Sequence, residues 1–291
     1  MALWLSRALA FDAPDDFLRQ KGELAAVEVE AAGGDSLYEA YRVTLASTAG
    51  YRVRGHLRVP QTVGRWPALI IIGGVNTGRM AAELVTPDSP YVILGLDYPW
   101  DGPTKLTWLQ FLMRVLAVRR AMLLTPSAVM LAVDYLETRS DVDSTGVVLA
   151  GASFGAQLIT VVGALDERPG PVLVIYGGGD YQVLLEANLK VRPRWLRSAL
   201  ARAGAWLLDP VEPLRYAAHV SPRPMILING SLDSRIPRHS VDTLYAAARQ
   251  PKRLIWLEEG HISSRNEALL ERVLQAAVQA LKEQGMWERP S

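Results

Sequence analysis

The stretch GVVLAGASFGAQLIT, residues 146–160, decides how the rest of the chain is read. It opens with the apolar run Gly146–Ala150, breaks at Gly151-Ala152-Ser153-Phe154-Gly155, and resumes as a helix-like run from Phe154 to about Leu165. A short continuous apolar run that ends in glycine is the pattern of a strand buried on both faces. The serine therefore stands on a tight turn between a buried strand and a helix. Two readings compete for it. In one, its hydroxyl caps the helix. In the other, the turn holds the hydroxyl out as a nucleophile.

Working outward, the same buried-strand pattern recurs at PALIIIGG (67–74), YVILGLDYP (91–99), PVLVIYGGG (171–179), PMILING (224–230) and RLIWLEE (253–259). Helical patterns separate these runs: Arg79 to Val85, residues 105–139 with a break near Thr125-Pro126, Ser240 to Arg249, and Asn266 to Gln284. Alternating strands and helices imply βαβ units and a mostly parallel sheet covered on both faces. Residues 38–60 read as two strands joined by a turn at Thr48-Ala49-Gly50, which predicts an antiparallel edge. Residues 1–37 read as an N-terminal helical extension and 181–216 as a small inserted helical cap on a single domain spanning 1–291.

Composition narrows the function classes. The chain has 291 residues, 49% hydrophobic and 21% charged, within the range of an ordinary globular domain. A formal net charge of +1 gives no electrostatic case for nucleic acid. The absence of cysteine excludes a disulfide framework, a cysteine nucleophile and thiolate metal sites. No His, Asp and Glu cluster with metal-ligand spacing stands out, so no metal and no cofactor is expected. The apolar stretch 106–124 carries Arg114, Arg119 and Arg120, a charge density that argues against a stable membrane span. The N-terminal residues lack the basic and continuously apolar regions of a secretion signal, so a soluble, cytoplasmic protein is expected. Its oligomeric state is not legible.

In an open parallel sheet, ligands bind beyond the carboxyl ends of the strands. Three polar residues follow three different strands there: Ser153 after 146–150, Asp233 after 224–230, and His261 after 253–259. A serine hydroxyl becomes a useful nucleophile when a base takes its proton, and the base imidazole needs an acid to hold one tautomer. Glycines at 151 and 155 suit a strained, closely packed turn. Asp180, after the 171–179 strand, competes with Asp233 for the acid position. His56, His219 and His239 lie away from strand ends. Tyr98 and Trp100, together with Asp97, follow another strand and are candidate pocket residues.

These motifs, GASFG, SPRPMILINGSLDSRIP and EEGHIS, resemble the α/β-hydrolase superfamily over residues 38–283. With DPVEPLRYAAHVSPRP, they look most similar to its dienelactone hydrolase, acetyl-xylan esterase and prolyl-oligopeptidase branch. The resemblance implies an α/β-hydrolase fold with Ser153 as nucleophile, His261 as general base and acid, and Asp233 as the orienting acid. It further implies an oxyanion hole made by the backbone N–H of Phe154 and by one from the loop IIIGGVNTGR. There Val75 is the favoured donor and Gly74 the second. Many relatives carry a histidine at that loop, and this chain does not. Asn76 or Thr77 could add a side-chain contact to substrate, or simply make the turn.

The expected activity is hydrolysis of small-molecule carboxylic esters of short to medium acyl length through an acyl-enzyme. A peptidase or acylaminoacyl-type amidase on the same triad is the alternative, and a catalytically inactive binding protein on the same fold is a third reading. A nucleotide-binding reading meets a broken fingerprint. Aligned as Gly73-x-Val75-x-x-Gly78, the glycine that must admit a pyrophosphate is valine.

Overall fold

The computed structural model describes residues 11–86, 90–103 and 108–285. A nine-stranded sheet forms its centre, in the order β1-β2-β3-β5-β4-β6-β7-β8-β9. The strands are β1 (Leu24–Gly34), β2 (Tyr38–Ser47), β3 (Arg52–Pro60), β4 (Trp66–Ile72), β5 (Val92–Leu96), β6 (Val142–Ala152), β7 (Val172–Ile175), β8 (Met225–Gly230) and β9 (Lys252–Leu257). β1, β2, β3 and β5 pair antiparallel, and β5 through β9 pair parallel. The sheet is mostly parallel with helices on both faces, as the strand pattern predicts.

The strand β1 corrects the reading of 1–37 as a helical extension. Only the short helix α1 (Asp15–Lys21) falls in the described part of that segment, and residues 1–10 lie outside the described residues. The sequence LAAVEVEAAGG gives a weak strand signal because β1 is an edge strand with nearly every residue exposed. Its stability comes from ladder hydrogen bonds to β2 rather than from a buried face.

Two apolar clusters cover the two faces. On one, Ile70, Ile72, Leu149 and Val174 pack under α2 (Trp108–Glu137) and α3 (Phe154–Leu165). On the other, Leu69, Ile71, Val148, Leu173 and Ile228 face α7 (Glu267–Lys282) and a 3₁₀ turn, Gly78–Leu84. That turn stands where the sequence predicts a helix from Arg79 to Val85. The remaining helices are α4 (Tyr181–Asn188), α5 (Arg194–Leu208) and α6 (Arg238–Ala247). Segment 181–216 thus comprises α4, α5 and two 3₁₀ turns, Asp209–Val211 and Pro213–Arg215.

Within its described residues, the 105–139 segment does not break at Pro126. α2 runs through it, although proline leaves the Met122 carbonyl without its usual donor. Thr125 Oγ1 donates to the Ala121 carbonyl at 2.7 Å, and the residues from Ala128 to Val133 are buried. Tertiary packing of that kind outweighs the local helix penalty. The stretch Met113–Glu137 is long and apolar enough to cross a membrane, yet 67% of its most apolar window is buried against the rest of the protein. It is a core helix.

Register sets the stage for the site. Ile72 pairs with Gly151, Ala152 with Ile175, and Gly230 with Leu257, so the carboxyl ends of β4, β6, β7, β8 and β9 finish on one edge. Strand order reverses at β4, which has β5 on one side and β6 on the other, and such a reversal opens a crevice at that edge.

Candidate active site

Ser153 joins β6 to α3 with φ 55° and ψ −111°, a conformation that L-residues adopt only under constraint. Its hydroxyl makes no capping hydrogen bond to α3, so the capping reading of this serine fails. The backbone is held from both sides. Ser153 N–H donates to the Ile175 carbonyl at 2.8 Å, and the Ser153 carbonyl accepts from Ala156 N–H at 3.1 Å. The flanking glycines are required by close approach. A Cβ on Gly155 would lie 2.2 Å from the Ile72 carbonyl oxygen, and one on Gly151 would lie 2.5 Å from the Gly155 carbonyl oxygen. The turn is thereby jammed against β4, and the hydroxyl is left to face outward.

It faces His261. Ser153 Oγ lies 2.8 Å from His261 Nε2, and His261 Nδ1 lies 2.7 Å from Asp233 Oδ2. Asp233 accepts two more hydrogen bonds on its other oxygen, from the backbone N–H groups of Arg235 at 2.7 Å and Ile236 at 3.1 Å. The aspartate side chain is 1% exposed and that of His261 12%. A buried carboxylate whose free oxygen is tied down by two N–H donors points its second oxygen in one direction. It accepts the Nδ1 proton, which leaves the Nε2 lone pair facing the serine hydroxyl.

Asp180 does other work. It adopts φ 64° at the start of α4, and its carboxylate accepts from Val183 N–H at 3.2 Å as a helix cap. The carboxylate bonded to His261 is that of Asp233. His56 is buried and paired with Glu83 on the 3₁₀ turn, away from this edge.

The loop after β4 passes directly over Ser153. A Cβ on Gly74 would be 3.9 Å from that of Ser153. The Gly74 carbonyl accepts from the N–H groups of Thr77 and Gly78, both at 2.9 Å, curling the loop back on itself. Among the described residues, the N–H groups of Val75 and Phe154 have no hydrogen-bond partner. Two unpaired N–H groups beside a serine are the raw material of an oxyanion hole. Asn76 and Thr77 line the same cavity as the serine.

Tyr98 and Trp100 depart from their expected place in the pocket lining. Tyr98 donates its hydroxyl to the Gly73 carbonyl at 2.5 Å and stacks edge-on against Phe154, ring centroids 5.3 Å apart. It braces the loop from behind. Trp100 folds back to donate from Nε1 to the Pro103 carbonyl at 3.2 Å. Asp97 accepts from Arg79 N–H at 2.9 Å and pins the 3₁₀ turn, in place of the ribose contact that a nucleotide site would ask of it.

Two residues near the site carry sequence signals that the motif reading passes over. Tyr176, directly after β7, has φ 53°, is wholly buried, and sets its ring edge-on against His261 at 5.7 Å. Its phenol is pushed up to about 12 by burial first and by the nearby Asp233 charge second. Its position past a strand end was the available clue. Gln157, one turn into α3, is 5% exposed, lines the cavity, and leaves Oε1 without a partner among the described residues.

A cavity of about 1370 Å³ surrounds Ser153 and His261. Its walls come from the β4 loop, α2, α4, α5 and α7, with few polar side chains among them. Among the described residues, no group of three or more His, Asp or Glu is placed to hold a metal ion.

Comparison with known proteins supports the architecture. No family model matches the chain. The uncharacterized protein YfhR of Escherichia coli K12 is 29% identical over 240 residues, covering 79% of this chain and 76% of YfhR. Acetyl xylan esterase 1 from Thermoanaerobacterium sp. JW/SL YS485 superposes with a TM-score of 0.64 at 18% identity, over 94% of this chain and 98% of that enzyme. The Pyrococcus horikoshii acylaminoacyl peptidase superposes with a TM-score of 0.62 at 14% identity, over 85% of this chain but 42% of the peptidase. The chain has the α/β-hydrolase fold.

Proposed function

We propose that this α/β-hydrolase-fold protein is a serine hydrolase that cleaves carboxylic esters through an acyl-enzyme intermediate. The observation that carries the reading is the unbroken path from Ser153 Oγ to His261 Nε2 at 2.8 Å and from His261 Nδ1 to Asp233 Oδ2 at 2.7 Å. Nucleophile, base and orienting acid stand within hydrogen-bond reach before any substrate arrives.

In this mechanism Nε2 takes the hydroxyl proton as Oγ attacks the ester carbonyl. Asp233 stays ionised and stabilises the imidazolium that forms. The N–H groups of Phe154 and Val75 receive the developing oxyanion, with Gly74 the second choice on the loop. His261 then gives its proton to the departing alkoxide, and the alcohol leaves. Water repeats the sequence on the acyl-enzyme, giving up its proton to Nε2, and the acid is released with Ser153 restored. Nothing in the cycle calls for a metal or an organic cofactor.

Amide cleavage by the same residues is the second reading, favoured by the likeness to the acylaminoacyl peptidase. A matched pair of substrates, an ester and an amide of the same acyl group, separates the two. A cytoplasmic location belongs to the same proposal; it rests on Arg114, Arg119 and Arg120 within the longest apolar stretch, and cell fractionation tests it.

The test of the activity is intact mass after treatment with a fluorophosphonate, comparing wild type with Ser153→Ala. A single adduct on wild type, mapped to the peptide carrying Ser153 and absent from the variant, is expected. A folded wild-type protein that takes no adduct, and turns over no ester, would overturn the reading.

A further inference from the structure

The cavity around Ser153 has two arms on opposite faces of the sheet. One arm lies under α4 and α5 and is edged by Gln157, Asn188 and Tyr181, polar groups set among leucines. The other runs down the opposite face, between the sheet and α7. Leu69, Ile71 and Leu173 form its floor, and Val273, Leu274 and Ala277 form its roof. Among the described residues, the polar side chains of that second arm stand at its mouth, on the β4 loop (Asn76, Thr77), at Ser153 and His261, and on the loop before α7 (Ser263, Ser264, Arg265).

Its existence follows from local sequence. Among the described residues, the connection from β4 to β5 forms a seven-residue 3₁₀ turn in place of a full helix beside α7. α7 leans on β8, and the surfaces facing the gap are cut back to alanine at Ala81, Ala150 and Ala277. Close-packed interiors leave few voids larger than a water molecule. A gap between aliphatic walls, widened at three alanines and joined to a candidate nucleophile, is a binding feature.

Its length can be read twice. Leu69 lies four residues before Gly73 on β4, about 13 Å at strand rise. Along the roof, cavity-lining residues extend from Leu270 to Leu281 on α7, about 16 Å at helix rise. Both lengths match a linear hydrocarbon chain and far exceed an acetyl or butyryl group. The total volume also exceeds the several hundred Å³ of a typical small-ligand site.

We infer that the arm between the sheet and α7 receives the acyl chain of the substrate, and that the protein acts on esters of long linear acyl groups, longer than the short to medium range expected from the sequence. The inference rests on the serine hydrolase reading for the chemistry at the carbonyl. The occupant is fixed by the walls. A channel with aliphatic sides and a nucleophile at its mouth suits a chain that is apolar along its length and electrophilic at one end. The other arm, with the unpaired Oε1 of Gln157, takes the alcohol portion.

Each methylene drawn into such a channel raises affinity about fourfold, the equivalent of about 0.8 kcal/mol. The kcat/KM for p-nitrophenyl esters is therefore expected to climb two- to fourfold per methylene from butyrate to decanoate. Ala277→Phe places a ring across the channel and is expected to lower the ratio of laurate to acetate kcat/KM at least tenfold. Leu274→Trp, a larger residue at a half-buried position, serves if the first variant does not fold. In parallel, Ser153→Ala is titrated with cis-parinaric acid and the probe displaced with palmitate. Saturable binding, weakened at least tenfold by Ala277→Phe or Leu274→Trp in the same background, is the expected result. Rates flat or falling beyond butyrate, with no fatty-acid binding by Ser153→Ala, would overturn the channel and leave the esterase reading intact. Palmitate binding by a protein that cleaves no ester would do the reverse.

Discussion

The serine, histidine and aspartate sit in three local environments that a single side-chain change disturbs in different ways. Asp233→Asn keeps the volume but offers Nδ1 an amide in place of a carboxylate, which favours the wrong imidazole tautomer. A fall in kcat of about 10³ to 10⁴ is expected in an ester assay, with little change in melting temperature. Gly155→Ala attacks the scaffold instead. Its Cβ would stand 2.2 Å from the Ile72 carbonyl, so backbone must shift, and we expect a loss of about 1–3 kcal/mol in urea denaturation together with lost activity. Tyr176 offers a cleaner dissection. Its buried hydroxyl has no partner among the described residues, while its ring supports His261. Tyr176→Phe should match or exceed wild-type stability, by up to about 1 kcal/mol, and keep most activity, whereas Tyr176→Ala should lower kcat. A Phe variant as damaged as the Ala variant would assign the hydroxyl a role that the geometry does not show. At this scale much was legible in the sequence, because Ser153, Asp233 and His261 each follow an apolar strand. The same rule applied to the end of β7 points at Tyr176. Tyr98 and Trp100 pass that rule too, yet neither lines the cavity, and strand position alone carries no information about a χ angle.

Among the elements, the junction between β7 and α4 depends on one half-buried carboxylate. Glu212 accepts from the backbone N–H groups of Asp180 at 2.9 Å, Tyr181 at 2.7 Å and Leu214 at 3.2 Å, tying the start of α4 to the 3₁₀ turn at Pro213–Arg215. Burial raises its pKa above the ordinary 4.5, and this outweighs the opposing pull of the three N–H donors. A raised folded-state pKa means that the native protein binds this proton more tightly than the unfolded chain. The resulting stability is complete below pH 4.5 and is lost as pH rises through the raised value. Glu212→Gln does not titrate, so its stability relative to wild type should improve between pH 4.5 and neutrality in paired urea denaturations. A difference that stays constant across that range would count against the burial argument. Element boundaries were readable where burial is strong, as at α3 and β8. They failed where another force dominates. β1 is held by its ladder without a buried face, and α2 passes Pro126 because the core packs both sides of it.

The whole molecule contributes what no segment can, a cavity that reaches over the sheet edge onto both faces. Its floor comes from β4, β6 and β7 and its roof from α7, about ninety to two hundred residues later in the chain. Periodicity reports which side chains point inward, and it is silent on how closely two inward faces meet. The cavity was therefore invisible in the sequence, although the strands that form its floor were read as apolar. Because the proposed acyl channel runs between α7 and the sheet, a bound chain would touch both elements at once. Binding to the native state alone stabilises by mass action, about 2.7 kcal/mol at a ligand concentration a hundred times Kd. For a chain of 291 residues that corresponds to a rise in Tm of roughly 4–5 °C. Ser153→Ala heated with laurate should show such a shift, and acetate at the same concentration should show none. In the Ser153→Ala/Ala277→Phe double variant the laurate shift should shrink, because the ring occupies the path that the chain would take between β4 and α7. An equal shift in both backgrounds would place the fatty acid elsewhere on the surface and remove the mechanical link between α7 and the sheet.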